Sequence, residues 1–493
     1  MLRKLARKWW FWVGLSGCLL VVLVVGGVYA EWKITRARGE ARRDEAVRKL
    51  DAESPGWRAA DLCARRNATL PPKDRNAAER ALEAAKLVPA SFEKSKHEER
   101  WWADLKVGVL PHSEDVCESA RLYQDCGEAI AVARSVRHLI SGGFRLLFAE
   151  PDPLQTLLPE DTKMRSAGAL LEYDAAVLAT AGRTDEAVES CHAILNCGRG
   201  IGDEPSLISQ LVRMGQVMLA NSALERVLGL GEPATGLAEL QSEFAAELSV
   251  SRLTYGLRGE RAMMFKLIQN IDDGIIPAKD VANVLEQAVG REGVSPVLLS
   301  RLVLYRKHLP GQQAALINLY DKMIEADRLP APERIATFDR ICPPSRNFEN
   351  IMGLLLLPTY TKVAEADNRT RVACATSVAA LACERYRRQY GRWPESLAAI
   401  PRDILPQVPE DPYTGRPLAY RLTDDGAVVY AVGSNGVDDG GVTLDSTGKP
   451  GTDIGFRLFD PQHRRRLPTP RIPERLETDH LPFSDEPPPE TEP

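Results

Sequence analysis

Residues 9–30 read WWFWVGLSGCLLVVLVVGGVYA, a run without formal charge that follows the basic start MLRKLARK. In a lipid interior every backbone amide must find its partner within its own segment, so such a run is committed to a helix. At 1.5 Å per residue that helix reaches roughly 30 Å, the depth of a bilayer's hydrocarbon core. The tryptophans at one end, and Tyr29 and Trp32 at the other, sit where interfacial aromatic residues belong. Val28-Tyr29-Ala30 fits a small-x-small cleavage site, but the run is long for a signal peptide, and a retained single-pass anchor is expected. Charge does not orient it. Arg3, Lys4, Arg7 and Lys8 on one side are matched by Lys33, Arg36, Arg38, Arg42 and Arg43 on the other.

At 493 residues the chain exceeds one ordinary core, and from Glu31 to Tyr390 alanine, leucine, glutamate and arginine dominate. The expected fold class is therefore mainly α. Its parts are a transmembrane anchor (1–30), a charged, solvated helical stalk (31–54), an irregular or repeat-like multi-helix body (55–358), a small C-terminal α+β module (359–460) and a disordered tail (461–493). Breaks fall at Pro55-Gly56, Pro71-Pro72, EPDP (150–153), GEP (231–233) and CPPSRN (342–347). The stretch ALLEYDAAVLATAGRTDEAVESCHAILNCG places Tyr173, Ala175, Gly182 and Ala187 at the spacing of a tetratricopeptide unit. One unit cannot establish an array, and an ordinary helical hairpin in an irregular bundle is the favoured reading over a repeat-like scaffold. Past Gly391 and Pro394 the texture changes. PLAYRL and AVVYAVGS, joined by TDDGA, form a hairpin signal. The proline- and charge-rich end from Pro461 cannot bury a core of its own.

Several functions are excluded or disfavoured early. A net charge of -5 offers no cationic surface for nucleic acid. Nine cysteines without a C-x-x-C, and seven histidines in all, disfavour a structural zinc site. Cys117/Cys126 and Cys374/Cys383 are nine apart and lie on opposite faces of a helix, so buried free thiols are expected. HEER at His97 lacks the second histidine of a zinc protease, and GSNG (433–436) is one residue short of a nucleophile elbow. GLRGERAMMF (256–265) reads as a helix-borne ion pair, and Trp57, Trp101 and Trp102 read as core anchors. The Asn67 and Asn368 sequons are of a length that chance supplies. No reaction is named by a motif.

The most specific stretch is VVYAVGSNGVDDGGVTLDSTGKPGTDIGF (428–456). Between Ser434 and Asp453 it holds four aspartates against Lys449, with glycines at 436, 440, 441, 448 and 451. Glycines let the backbone turn its carbonyls inward, and carboxylates with carbonyls are what a calcium ion of six to eight oxygen ligands requires. A solvated acidic loop without an ion fits the same residues.

From about Asn368 to Phe459 the chain resembles the soluble part of a major pseudopilin of type II secretion. A helix ending YRRQYGRWPESL, then PEDPYTGRPLAYRL, the strand VVYAVGSNGVDDGG and a closing DIG carry the resemblance. It implies a calcium ion that pins the C-terminal strands. By position its ligands would be Asn435, Asp438, Asp439 and Asp453, with Asp445 as a fifth and carbonyls near Ser434 and Gly436. The family's processed glycine–phenylalanine junction and early glutamate are missing from Met1–Ala30, so assembly by its usual route is not expected. The whole chain is similar to a group of large bacterial single-pass membrane proteins that pair a helical body with such a module. That likeness implies an architecture and no activity.

The resemblance implies that Glu31 onward lies outside the cytoplasm, at the inner membrane. The function expected is a non-catalytic scaffold or partner-binding protein, held to the lipid bilayer through residues 9–30, with a protein partner. The alternatives are an accessory of a secretion or pilus-like apparatus, and an envelope hydrolase whose catalytic residues come from distant helices.

Overall fold

The computed structural model describes residues 2–98, 101–156, 158–277, 306–330, 332–341, 351–442 and 453–470. Helices α1 (Leu2–Glu53), α2 (Ala59–Ala68), α3 (Ala77–Leu87), α4 (Ala90–Glu98), α5 (Ser113–Asp125) and α6 (Gly127–Arg134) lead into the long pair α7 (Pro159–Thr180) and α8 (Thr184–Arg199). Then come α9 (Leu207–Leu230), α10 (Leu237–Leu248), α11 (Arg252–Asp272), α12 (Leu309–Asp327) and α13 (Glu333–Ile341). The last helix, α14 (Ile351–Tyr390), delivers the chain to β1 (Ala419–Thr423), β2 (Gly426–Ala431) and β3 (Ile454–Phe459). The protein is mainly helical with one small sheet near its C-terminus, as composition and hairpin signals indicate.

Local chemistry sets the boundaries. The Asn76 side chain accepts from the amides of Ala78 and Glu79 and caps α3, and Ser206 accepts from Ser209 to cap α9. Pro159 opens α7, where its missing N–H costs nothing. Gly391, at φ 73°, ends α14 where a side chain would be strained. CPPSRN lies outside the described residues.

The sheet is antiparallel in the order β1-β2-β3, with Thr423 opposite Gly426 and Gly426 opposite Phe459. The hairpin turn is thus Asp424-Asp425, and the glycine of TDDGA, Gly426, belongs to β2. It is needed there because a Cβ would fall 2.0 Å from the Leu458 carbonyl oxygen. All six residues of β2 are buried.

Two regions differ from expectation. Residues 31–53 are not a solvated stalk. They continue α1 without a break and dock on α12, with Ala46 and Leu50 sharing a small core with Trp57, Ala314 and Ile317. Gly39 meets Gly311 so closely that a Cβ would stand 2.9 Å from its nitrogen. Arg36 makes a two-toothed pair with Asp272 at 2.8 and 2.9 Å. Nor does the tail begin at 461. Arg464 is buried and donates to both oxygens of Glu384, at 3.2 and 3.0 Å. Arg465 reaches the carbonyls of Ala179 and Thr180 at the end of α7, and Arg466 bridges to Val109. Residues 471–493 lie outside the described residues.

One continuous core runs from Ala77 and Trp102, through α7, α8 and α9, to Val372–Cys383 of α14 and to Ala427, Val429, Phe456 and Leu458 of the sheet. Trp102 stacks on Phe92 and packs against Tyr173, as an anchor should. The thiols among the described residues are free, and Cys126, Cys191, Cys197, Cys374 and Cys383 are buried in this core.

At the N-terminus α1 is the one helix among the described residues long and apolar enough to cross a membrane, with a mean hydropathy of 1.8 in its apolar window. Leu19, Leu20 and Val21–Val25 of this helix are exposed.

Candidate functional site

The acidic loop hangs from the central strand of the sheet. β2 ends at Ala431, the chain turns through Gly433–Gly436, and β3 begins at Ile454 beside it. Asp453, fully buried, is bound by the loop backbone: the amide of Asp439 donates to its Oδ1 at 3.3 Å and that of Gly441 to its Oδ2 at 2.7 Å. Gly440 and Gly441 permit this close wrap through φ values of 75° and 77°. Burial raises the Asp453 carboxyl above its usual range, the two amides oppose the rise, and Asp438 and Asp439 add to it. Asp438 accepts from Tyr430 Oη at 3.0 Å and from the Gly440 amide at 2.9 Å. Asn435 accepts from the Val437 amide. Asp439 differs from these, since its Oδ2 is buried and meets no donor.

The structure therefore gathers Asp438, Asp439 and Asp453, engages three of their six carboxylate oxygens with local donors among the described residues, and leaves Asn435 exposed in a turn of its own. Asp445 lies outside the described residues. Among the described residues no group of three or more His, Cys, Asp or Glu side chains is arranged to hold a metal ion. The orphaned Asp439 oxygen beside two further carboxylates is the observation that fits a hard cation.

The body contains a chain of buried charges. Glu247 is held by Arg213 at 2.6 Å and by Arg252 at 3.1 Å. Arg252 faces Asp367 at 3.6 Å, Asp367 takes Arg371 at 2.6 Å, and Arg371 reaches Asp327 at 3.1 Å. These residues come from α9, α10, α11, α12 and α14, so the network ties five helices at one place. Its outer end opens into a cleft of about 700 Å³ between α10, α14 and the loop around Asp403–Pro412. Arg334, Arg371 and Arg385 line it alongside Leu248, Val378 and Leu405. Burial, and then the neighbouring Arg371 charge, pull the Arg334 guanidinium below its ordinary range.

Neither half of GLRGERAMMF makes the pair expected within the motif. Arg261 pairs with Asp321 of α12, while Glu260 accepts from the Leu207 amide and is pushed up to about 7 by burial. The sequon asparagines are also accounted for. Asn67 exchanges two hydrogen bonds with the Leu146 backbone, and buried Asn368 accepts from Arg334. A pair of carboxylates does occur, Asp161 and Glu204, both in contact with the Ser209 hydroxyl. All three are buried and line none of the clefts described here, so they present no catalytic face.

Comparison with known proteins gives no match, whether to a family model, to a curated protein or to a solved structure.

Proposed function

We propose that this protein is a membrane-anchored extracytoplasmic scaffold that presents a cleft to a protein partner and is stiffened at its C-terminal end by calcium. The observation that carries the reading is α1. The same unbroken helix supplies the apolar segment and the face that docks on α12, so the body is held rigidly to its anchor instead of swinging on a linker. A rigid mount suits a protein whose task is to place a surface. The surface favoured is the cleft floored by Arg334, Arg371 and Arg385, large enough for a peptide segment and mixed in polarity. The pseudopilin-like character of α14 and the sheet, and the repeat-like character of the α7–α8 hairpin, belong to this same proposal.

Calcium enters through the acidic loop. Bound between Asp438, Asp439 and Asp453, the ion would neutralise three crowded carboxylates and fix the crossing from β2 to β3. Because the sheet shares its core with the body, the test uses the full chain in detergent. Millimolar calcium is expected to raise Tm relative to chelator, and the rise should vanish in the Asp438→Ala/Asp439→Ala double variant. A Tm indifferent to calcium makes the loop a hydrogen-bonded turn and removes the ion from the proposal. The partner is sought with a photo-crosslinker at exposed Ala245 in the cleft and at exposed Leu87 away from it. A discrete adduct from Ala245 alone supports the scaffold reading. No adduct from either position ends it.

A further inference from the structure

A second cavity, of about 320 Å³, lies where the end of α1, α2 and α11 converge, and it shares no lining residue with the cleft. Arg65 and Arg66 of α2 and Arg258 and Arg261 of α11 line it, with Trp57 and Tyr255. Four guanidiniums at one cavity repel each other unless something answers their charge. Two are answered in place: Arg66 pairs with Asp203 at 3.2 Å, and Arg261 with Asp321. Two are not. Arg65 donates only to the Gly56 carbonyl, and Arg258 has no hydrogen bond or ion pair among the described residues. Glu53 at the rim leans toward Lys49, 3.9 Å away. Burial, and then Arg328, Arg261 and Arg65, pull the Arg258 guanidinium below its ordinary range.

The polar accounting points the same way. The Nε atoms of Arg66 and Arg261 are buried without an acceptor, and both side chains are more than nine-tenths buried. Buried donors of this kind normally meet a partner, and here two residues lining one cavity share the deficit. From these residues we infer that the cavity is a binding site for a small phosphate-bearing ligand. A dianion balances the two unanswered charges, and guanidinium forks match tetrahedral oxygens in pairs. The Trp57 ring, with Arg58 at 4.9 Å and Arg261 at 6.0 Å, and the Tyr255 side chain provide an aromatic wall for the rest of the molecule. The volume admits a phosphorylated sugar and little more.

The ligand is not a bilayer headgroup on this geometry. Twenty-three residues of α1 separate Ala30 from Glu53, a distance of roughly 35 Å along the helix. The source is therefore a soluble phosphate, free or esterified.

The experiment is calorimetric titration of the full chain in detergent with inorganic phosphate and, separately, with glucose 6-phosphate, at matched ionic strength in chloride. Saturable binding of at least one probe is expected, weakened at least tenfold by Arg258→Gln and partly restored by Arg258→Lys. In phosphate-free buffer Arg258→Gln should melt no lower than the natural chain, because it relieves like-charge repulsion, so lost binding is not lost folding. Equal affinity for both probes assigns phosphate itself, and tighter binding of the ester assigns the Trp57 wall to its organic part. No saturable binding of either, or undiminished binding by Arg258→Gln, overturns the inference.

Discussion

Ser209 stands 2.7 Å from Glu204 and 3.0 Å from Asp161, yet a hydroxyl carries one proton and can donate to one of them. The other contact needs a proton on a carboxyl. Burial supplies the cause, raising Asp161 to about 6 and Glu204 to about 7. Since the folded values lie above the unfolded ones, the folded chain binds more protons. The stability from these groups is complete below about pH 4 and is lost as pH rises through about 6 to 7. The natural chain should therefore be less stable to urea at pH 8 than at pH 5. In Glu204→Gln that difference is expected to shrink by on the order of 3 kcal/mol. An unchanged difference would show the Glu204 carboxyl to be ionised throughout. None of this was visible in the chain, because Asp161 and Ser209 are forty-eight positions apart and each alone is unremarkable text.

At the scale of the element, α1 shows how one helix serves two solvents. Its first part is apolar on all sides, whereas its second is charged except for a narrow stripe through Gly39, Ala46 and Leu50. Composition reported the charge and concealed the stripe, since small residues carry little hydrophobic signal and mark a close helix contact only when the facing helix is known. Gly39→Leu should force α1 away from Gly311 and lower stability by roughly 1–3 kcal/mol, read as a fall in Tm and cleavage by protease near Ser54–Gly56. Gly17→Leu, on the open part of the same helix where nothing stands within 4 Å of the added carbon, should do neither. If both variants behave alike, the docking of α1 on α12 contributes nothing to stability.

Across the whole molecule, the C-terminal strands and the arginines beyond them close the fold. Arg464 and Arg387 together neutralise Glu384, which is fully buried on α14. Breaking a buried pair by removing one partner leaves a charge in a low-dielectric interior, so Arg464→Leu should cost about 3–5 kcal/mol in urea unfolding. An unchanged midpoint would mean that Arg387 suffices. Proline-rich, charged text normally reads as tail because it cannot build a core. It can still dock on one, as residues 464–466 do, when carbonyls at helix ends and a buried carboxylate are waiting for donors.

The sequence by itself determined the apolar helix, the helical class, the break points at proline and glycine, the β1–β2 hairpin and the crowding of aspartates in the loop after β2. Each is a local property, set by backbone satisfaction, periodicity or the turn preferences of a few adjacent residues. Tertiary structure alone decided which charges are paired and which are left over. Arg65 and Arg258 are separated by almost two hundred positions, and Arg464 by eighty from Glu384, so no spacing rule joins them. Electrostatic energy depends on distance through space and on burial, and neither exists until the helices have packed.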